Sequence, residues 1–238
     1  MLTLIKRTTI FITLLLSLSA CCTTRGPDPF ETFNRASFAF NDHMDKAFLK
    51  PIAKAYIYTF PAPVRTGVSN FFDNLSEIPT VANDLLQANI FQALADGGRF
   101  LVNSTIGVFG IFDVAAKINL PPHYTDLGLT LAKWGIKESP YLLIPFFPPG
   151  TVRDTSALIV NFYAFTVYPY IHPFYDRWAI LSVDFIRLRA NALEYSGLID
   201  IAAIDPYVFQ RDAYMQYRKA QVEKTLAEKP FSIPNSQS

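Results

Sequence analysis

The sequence predicts an all-α protein, and three observations carry that reading. Apolar residues recur at helical spacing through most of the chain. Pro, Gly and an Asp-Pro junction punctuate those stripes, and no apolar run reaches the roughly 20 residues that a bilayer-spanning helix needs. One large domain is expected, because about 218 residues follow the leader and no internal repeat or low-complexity linker divides them.

Residues 1–20 read as a lipoprotein signal peptide. Lys6 and Arg7 supply the positive start, Ile10 to Leu18 a short apolar core, and Leu18-Ser19-Ala20 the small-residue approach to a cysteine. As a helix, Thr8 to Leu18 would cover roughly 17 Å against a hydrocarbon core of about 30 Å, too little for a permanent span. Cys21 and Cys22 are the only cysteines and are adjacent, so no disulfide framework, CxxC pair or cysteine zinc site can form. Cys21 is the expected lipid anchor, carrying diacylglycerol and an N-acyl chain, and more than one acyl chain makes attachment stable. Cys22 stands where an aspartate would retain a lipoprotein in the inner membrane, so the expected address is the periplasmic leaflet of the outer membrane. Residues 21–27 form a short lipidated tether. The stretch from Cys22 to Pro27 reaches at most about 20 Å when extended, which holds the body against the leaflet.

Residues 28–228 form the helical body. Phe33, Phe40, Met44, Ala47 and Phe48 mark a helix from Phe30 to Leu49, with Pro51 just beyond its end. Val64, Val68, Phe71, Phe72 and Leu75 mark a second, Ile78 to Leu86 a short third with Pro79 in its first turn, and Ile90 to Ile106 a fourth before Gly107 and Gly110. Thr151 and Asp154 have the spacing of a capping box that opens Val152 to Phe165. Leu181, Phe185, Leu188, Ala192 and Tyr195 make another stripe, closed by Gly197, and Asp205-Pro206 starts the last helix. Pro140 to Gly150 is apolar but carries Pro140, Pro145, Pro148 and Pro149, so it is neither a helix interior nor a central strand. It reads as a buried structural loop or as a movable lid. Residues 229–238, with Pro230 and Pro234, read as a disordered tail.

Loss of Lys6 and Arg7 leaves 19 of 21 basic residues against 20 acidic ones, a net charge near −1 that argues against a nucleic-acid partner. Apolar content of 50%, with 21 Phe and 12 Tyr, fits a dense core or a lipid-contacting surface equally well. The short tether favours the second, and with no spanning segment the body reads as monotopic. GxSxG, HExxH, SxxK, Walker and GxGxxG motifs are all absent. His43, His123 and His172 are scattered, and each is expected in a surface or structural role. Asp42-His43-Met44-Asp45 reads as a solvated polar face, so no metal ligand, cofactor or catalytic residue is assigned and an enzyme is the weaker class.

Several motifs, taken in order, resemble the MlaA (VacJ) lipoprotein family. They are Asp28-Pro29-Phe30-Glu31-Thr32-Phe33-Asn34-Arg35, Ser69-Asn70-Phe71-Phe72-Asp73-Asn74-Leu75, Arg99 to Gly107, Gly110 to Ala115, the run Gly135 to Asp154, Asp205-Pro206-Tyr207, and Arg211 to Tyr214. The resemblance covers roughly Asp28 to Arg218 and departs in Leu158 to Tyr175 and after Lys229. It implies a helical ring in the inner leaflet of the outer membrane with a central amphipathic channel. Such a ring takes misplaced phospholipid from the outer leaflet and passes it to a soluble periplasmic phospholipid-binding protein, with trimeric porins as membrane partners. Arg35, Asn70, Arg99, Asn103, Asp113 and Arg153 are the polar members of the matching motifs, either facing the channel or holding the ring together. Pro140 to Gly150 resembles the family's mobile hairpin, with Gly135 as a hinge. A structural porin-associated lipoprotein and a lipid-modifying hydrolase built on His123 or His172 stand as alternatives.

Overall fold

The computed structural model describes residues 28–228 apart from 138 and 203, with the backbone alone over 194–202. The signal peptide, the Cys21 anchor, the tether and the tail after residue 228 lie outside the described residues. The class is all-α: the only strands among the described residues are two short segments that pair with each other.

Helix α1 (Glu31–Met44) continues through a π turn at Asp45–Leu49 into α2 (Lys50–Thr59). The stop expected before Pro51 is absent. The π turn shifts the hydrogen-bond register just ahead of the proline, which then occupies the first turn of α2, where its missing N–H costs little. The break expected at Pro79 is absent too, because α3 is one helix, Ala62–Leu86. Around the proline, Ser76 Oγ donates to Phe72 O at 3.0 Å, Thr80 Oγ1 to Ser76 O at 2.9 Å and Asn83 Nδ2 to Pro79 O at 2.7 Å. Packing along α4 (Ile90–Thr105) carries the helix through. Ala88, at φ 59°, turns the chain between α3 and α4, and the Asn89 N–H reaches back to Asp84 O at 2.9 Å.

α4 ends ahead of Gly107 and Gly110, as its stripe predicts, and the loop that follows contains a 3₁₀ turn at Ala115–Ile118. A helix that the stripes did not reveal, α5 (Leu127–Lys133), starts at Asp126, whose side chain accepts the Leu129 N–H at 2.9 Å. β1 (Tyr141–Leu142) and β2 (Gly150–Thr151) pair antiparallel, Tyr141 opposite Thr151 and Leu142 opposite Gly150. The segment between them is the proline-rich loop, now the tip of a hairpin. α6 (Val152–Phe165) has the predicted cap, with Thr151 Oγ1 accepting the Asp154 N–H at 3.1 Å and donating to Asp154 Oδ2 at 2.8 Å. After a 3₁₀ turn at Tyr168–Tyr170, α7 (Phe174–Ala202) runs through Gly197 instead of ending there. A glycine inside a helix costs about 1 kcal/mol relative to alanine, which a helix of this length absorbs. α8 (Pro206–Ala227) begins as read, Asp205 Oδ1 accepting the N–H groups of Tyr207 and Val208 at 3.0 and 3.2 Å.

The α3–α4 hairpin lies at the centre. α3 also touches α5, α6 and α7, while α2 lies along α7, and α5 packs on α6 and α8. Polarity is inverted relative to a water-soluble bundle. Asn34, Asn83, Thr130, Asp84 and Asp96 are almost wholly enclosed, and polar side chains outnumber apolar ones among the described buried residues. Tyr58, Leu94, Phe109, Phe48 and Trp134 face outward. No helix among the described residues is long and apolar enough to cross a membrane.

Candidate functional site

A cavity of about 420 Å³ opens where α5, α6, α8 and the base of the hairpin meet. One wall is apolar, from Leu127, Pro148, Pro149, Ala157 and Leu158; the other presents Asp126, Asp154, Asn161 and Arg218. The size falls within the usual range of ligand pockets. Its polar wall is built by a bridged set of charges. The Arg218 guanidinium donates to Asp126 at 2.7 and 2.9 Å and to Asp154 at 2.9 Å, joining the cap of α5 to the cap of α6 from the middle of α8. Tyr214 adds a hydroxyl bond to Asp154 at 2.9 Å. Gly128 is required here, since a side chain at that position would run into the Asp154 carboxylate and the Arg218 guanidinium.

Burial pushes the Asp154 carboxyl up, but the bonds from Arg218 and Thr151 outweigh it and hold Asp154 below the ordinary carboxylate range. Burial works against the Arg218 charge, and the two carboxylates more than restore it. Tyr124 and Tyr214 are pushed well above the usual phenol range by burial and the same carboxylates, so both stay neutral donors. With Arg153 paired to Asp154 from behind at 2.8 Å, two guanidinium groups meet two carboxylates, so the wall is polar and charge-balanced. It can hydrogen-bond a polar group without presenting a strong net field.

A second, larger recess of about 970 Å³ lies between the start of α3, the loop at Ile111 and Phe112, and the first half of α7. Its lining is apolar apart from Thr66 and Asn70.

Each residue singled out in the sequence has a definite place. Arg35 pairs with Glu31 at 2.8 Å and with Asp205 at 2.9 Å and lies over the Tyr207 ring, tying α1 to the start of α8. Asn70 lines the apolar recess and donates to Ile111 O at 2.9 Å. Arg99, Asn103 and Asp113 come together: Arg99 donates to Glu77 at 2.6 Å, Asp113 at 2.8 Å and Leu120 O at 2.7 Å. Asn103 donates to Asp113 at 3.1 Å and accepts the Ala115 N–H at 2.9 Å. This cluster fastens the loop after α4 to the α3–α4 hairpin. Arg153 stands behind the polar wall, paired with Asp154 at 2.8 Å and donating to Ile136 O and Lys137 O, each at 3.0 Å.

The hairpin supplies Pro148, Pro149 and Gly150 to the cavity. Pro140 accepts the Val152 N–H at 3.0 Å at its base, and Pro145 lies near its tip beside Phe146. Two asparagines one heptad apart on α1 hold it. Asn34 donates to Tyr141 O at 3.1 Å and accepts the Leu143 N–H at 2.8 Å; Asn41 donates to Ile144 O at 3.3 Å and accepts the Phe146 N–H at 2.8 Å. Asn34 is oriented by buried Asp28, which also takes the Tyr207 hydroxyl. Gly135, upstream, has φ +116°, a conformation open to glycine and rarely to other residues.

Asp126, Asn161 and Arg218 were not singled out from the sequence, and Asp154 only as a cap. A short helix with one visible cap leaves a weak stripe, and the bond between Arg218 and Asp126 crosses 92 residues. His123, read as structural or surface, hydrogen-bonds Asp96 at 2.9 Å with Asp84 beside it. His43 bonds the Ala39 carbonyl of its own helix at 2.6 Å.

Fold and cavity together define a class: an all-α protein that gathers its charges inside, turns its aromatic and aliphatic side chains outward, and keeps an amphipathic cavity beside a pinned hairpin. The model of the MlaA lipoprotein family matches residues 26–221, and the chain belongs to that family. A protein of Rickettsia prowazekii is 36% identical, the alignment covering 82% of this chain and 78% of that one. The intermembrane phospholipid transport system lipoprotein MlaA of Escherichia coli K12 is 32% identical over 89% of this chain and 84% of its own. A chain solved in work on the structural basis for maintenance of bacterial outer membrane lipid asymmetry superimposes with a TM-score of 0.71 at 30% identity, covering 82% of this chain and 98% of that one.

Proposed function

We propose that this protein removes mislocalised phospholipid from the outer leaflet of the outer membrane and passes it, through the cavity beside the hairpin, to a soluble periplasmic phospholipid-binding protein. The two-sided cavity is the observation that carries this reading. A phospholipid needs hydrogen-bond partners for its headgroup beside apolar contact for its chains, and the cavity offers both within about 420 Å³. The outward-facing aromatics support a body seated among acyl chains without crossing them. Cys21 anchors the chain in the periplasmic leaflet, trimeric porins are its membrane partners, and Pro140 to Gly150 acts as a lid swinging about Gly135. No bond is made or broken in this process, and the lipid on Cys21 is the only group covalently added.

Family membership supports the transport class, and the name of the Escherichia coli relative and the subject of the work on the solved chain concern the same process. Deleting the gene and labelling surface-exposed phospholipid tests the reading. Outer-leaflet phospholipid rises on deletion and returns to its starting level on complementation, and a photoreactive group at Leu158 cross-links to phospholipid in intact cells. An unchanged outer leaflet in a strain with normal porins overturns transport. Absence of the cross-link with restored asymmetry overturns the cavity as the route.

A further inference from the structure

Away from the cavity, three ligand-type side chains meet. Asp84 comes from the last turn of α3, Asp96 from the middle of α4, and His123 from the segment that leads into α5. One ligand atom from each lies within 4.8 Å of the others. His123 Nδ1 stands 2.9 Å from Asp96 Oδ2 and 3.7 Å from Asp84 Oδ2. Both aspartates are only 1% exposed.

The arrangement is incomplete as it stands. Asp84 Oδ2 is buried without a hydrogen-bond donor, although it faces the imidazole. Asp96 is held from outside the cluster by Gln92, whose Nε2 donates to Oδ1 at 3.0 Å and leaves Oδ2 directed inward. Two enclosed carboxylates face one imidazole, and Glu228 adds negative potential of the same sign. A buried carboxylate with no donor and no full counter-charge is costly unless a proton or a cation joins it.

We propose that Asp84, Asp96 and His123 bind a divalent transition-metal ion of the zinc class, through one oxygen of each carboxylate and Nδ1 of the imidazole. Mixed nitrogen and carboxylate donors in threes, with a position left for water, suit zinc better than the hard, oxygen-only cations. The three donors sit on separate elements, so the ion clips the α3–α4 hairpin to the segment that positions Asp126 and hence the polar wall of the cavity. It acts as a structural fastener and takes no part in handling lipid.

The test uses the full-length lipoprotein in detergent, stripped with a chelator and titrated with zinc chloride. Wild type retains one equivalent after gel filtration, and its Tm rises by roughly 5–10 °C at a hundredfold excess of zinc over the Kd. Asp84→Asn and His123→Gln each lower the affinity by at least about tenfold, whereas a His43→Ala, His172→Ala double variant keeps it. Because a misfolded variant would also lose the ion, cobalt in wild type supplies a second reading: ligand-field bands appear and zinc displaces them. Three results overturn the proposal. These are no retained zinc and no cobalt bands in wild type, equal retention in Asp84→Asn and His123→Gln, or a metal-free Asp84→Asn protein that is more stable than a wild type indifferent to zinc. The last outcome assigns a proton to Asp84 in place of the ion.

Discussion

The two loops that flank the centre of the molecule are secured by opposite means. The loop after α4 is clamped by a buried guanidinium, Arg99 being bonded to Glu77, Asp113 and the Leu120 carbonyl at once. The 140–150 hairpin is held by neutral amides, Asn34 and Asn41, bonding to backbone at four points. Breaking the first leaves charges stranded in a poorly solvated interior. Breaking the Asn41 half of the second frees amide and carbonyl groups at the hairpin tip, where water can satisfy them. The first attachment is the costlier to break, and the second weakens toward the hairpin tip, where the Asn41 bond to Phe146 is open to solvent while those of Asn34 are buried.

The largest expected effect comes from Arg99→Ala. It strands Glu77 and Asp113 together and lowers unfolding stability by about 3–5 kcal/mol, read by denaturant titration in detergent. Stability unchanged within about 1 kcal/mol would show that the loop is not clamped in this way.

Next is the pH response of the same clamp. Burial pushes the Glu77 carboxyl up to about 7, with the Arg99 bond opposing, and its Oε2 has no donor. A carboxyl that binds its proton more tightly when folded contributes stability that is full below about 4.5 and lost as pH climbs to about 7. Glu77→Gln should flatten that decline in a Tm series across this window, and a variant with the wild-type slope would locate the proton elsewhere. Asp113 and Asp154, held low, act in the reverse sense and lose their contribution only on acidification below the ordinary carboxylate range.

Asn41→Ala tests the amide-held side. Loss of two bonds at the hairpin tip should cost about 1 kcal/mol or less globally, yet raise hydrogen exchange of the 143–147 amides while the 112–118 amides stay protected. Equal protection of both loops would remove the distinction drawn between them. Smallest of all is Lys219→Ala. Its bond to Glu223 is 3.9 Å long between largely exposed side chains, so stability should hold within about 0.5 kcal/mol.

Local signals in the sequence proved readable where the partners are a few residues apart. Thr151 with Asp154 and Asp205 with Pro206 mark helix starts that the structure contains, and the Ile90 stripe ends where its glycines say. Pro51, Pro79 and Gly197 misled because each is a local boundary signal, two read as helix ends and Pro79 as a helix start, that the packing of a long helix on its neighbours overrides. The cavity wall was not readable for a different reason. Asp126, Asp154 and Arg218 are ordinary charged residues until the fold places them within hydrogen-bonding distance, and nothing in their separate neighbourhoods announces the triangle. Arg99, Asn103 and Asp113 stand out in the sequence, and the structure places all three in the clamp.

The inverted polarity of this body has a consequence for its passage through the cell. Phe109, Tyr58, Leu94 and Trp134 face outward in the folded chain, so the finished surface is adhesive in water and comfortable only once it meets lipid or a covering protein. Water, which drives an ordinary domain to close over its apolar residues, offers this one little reward for closing. Until it meets lipid or detergent, such a surface favours association over solubility in water. A lone copy released into aqueous solution would meet its own kind before it met a membrane.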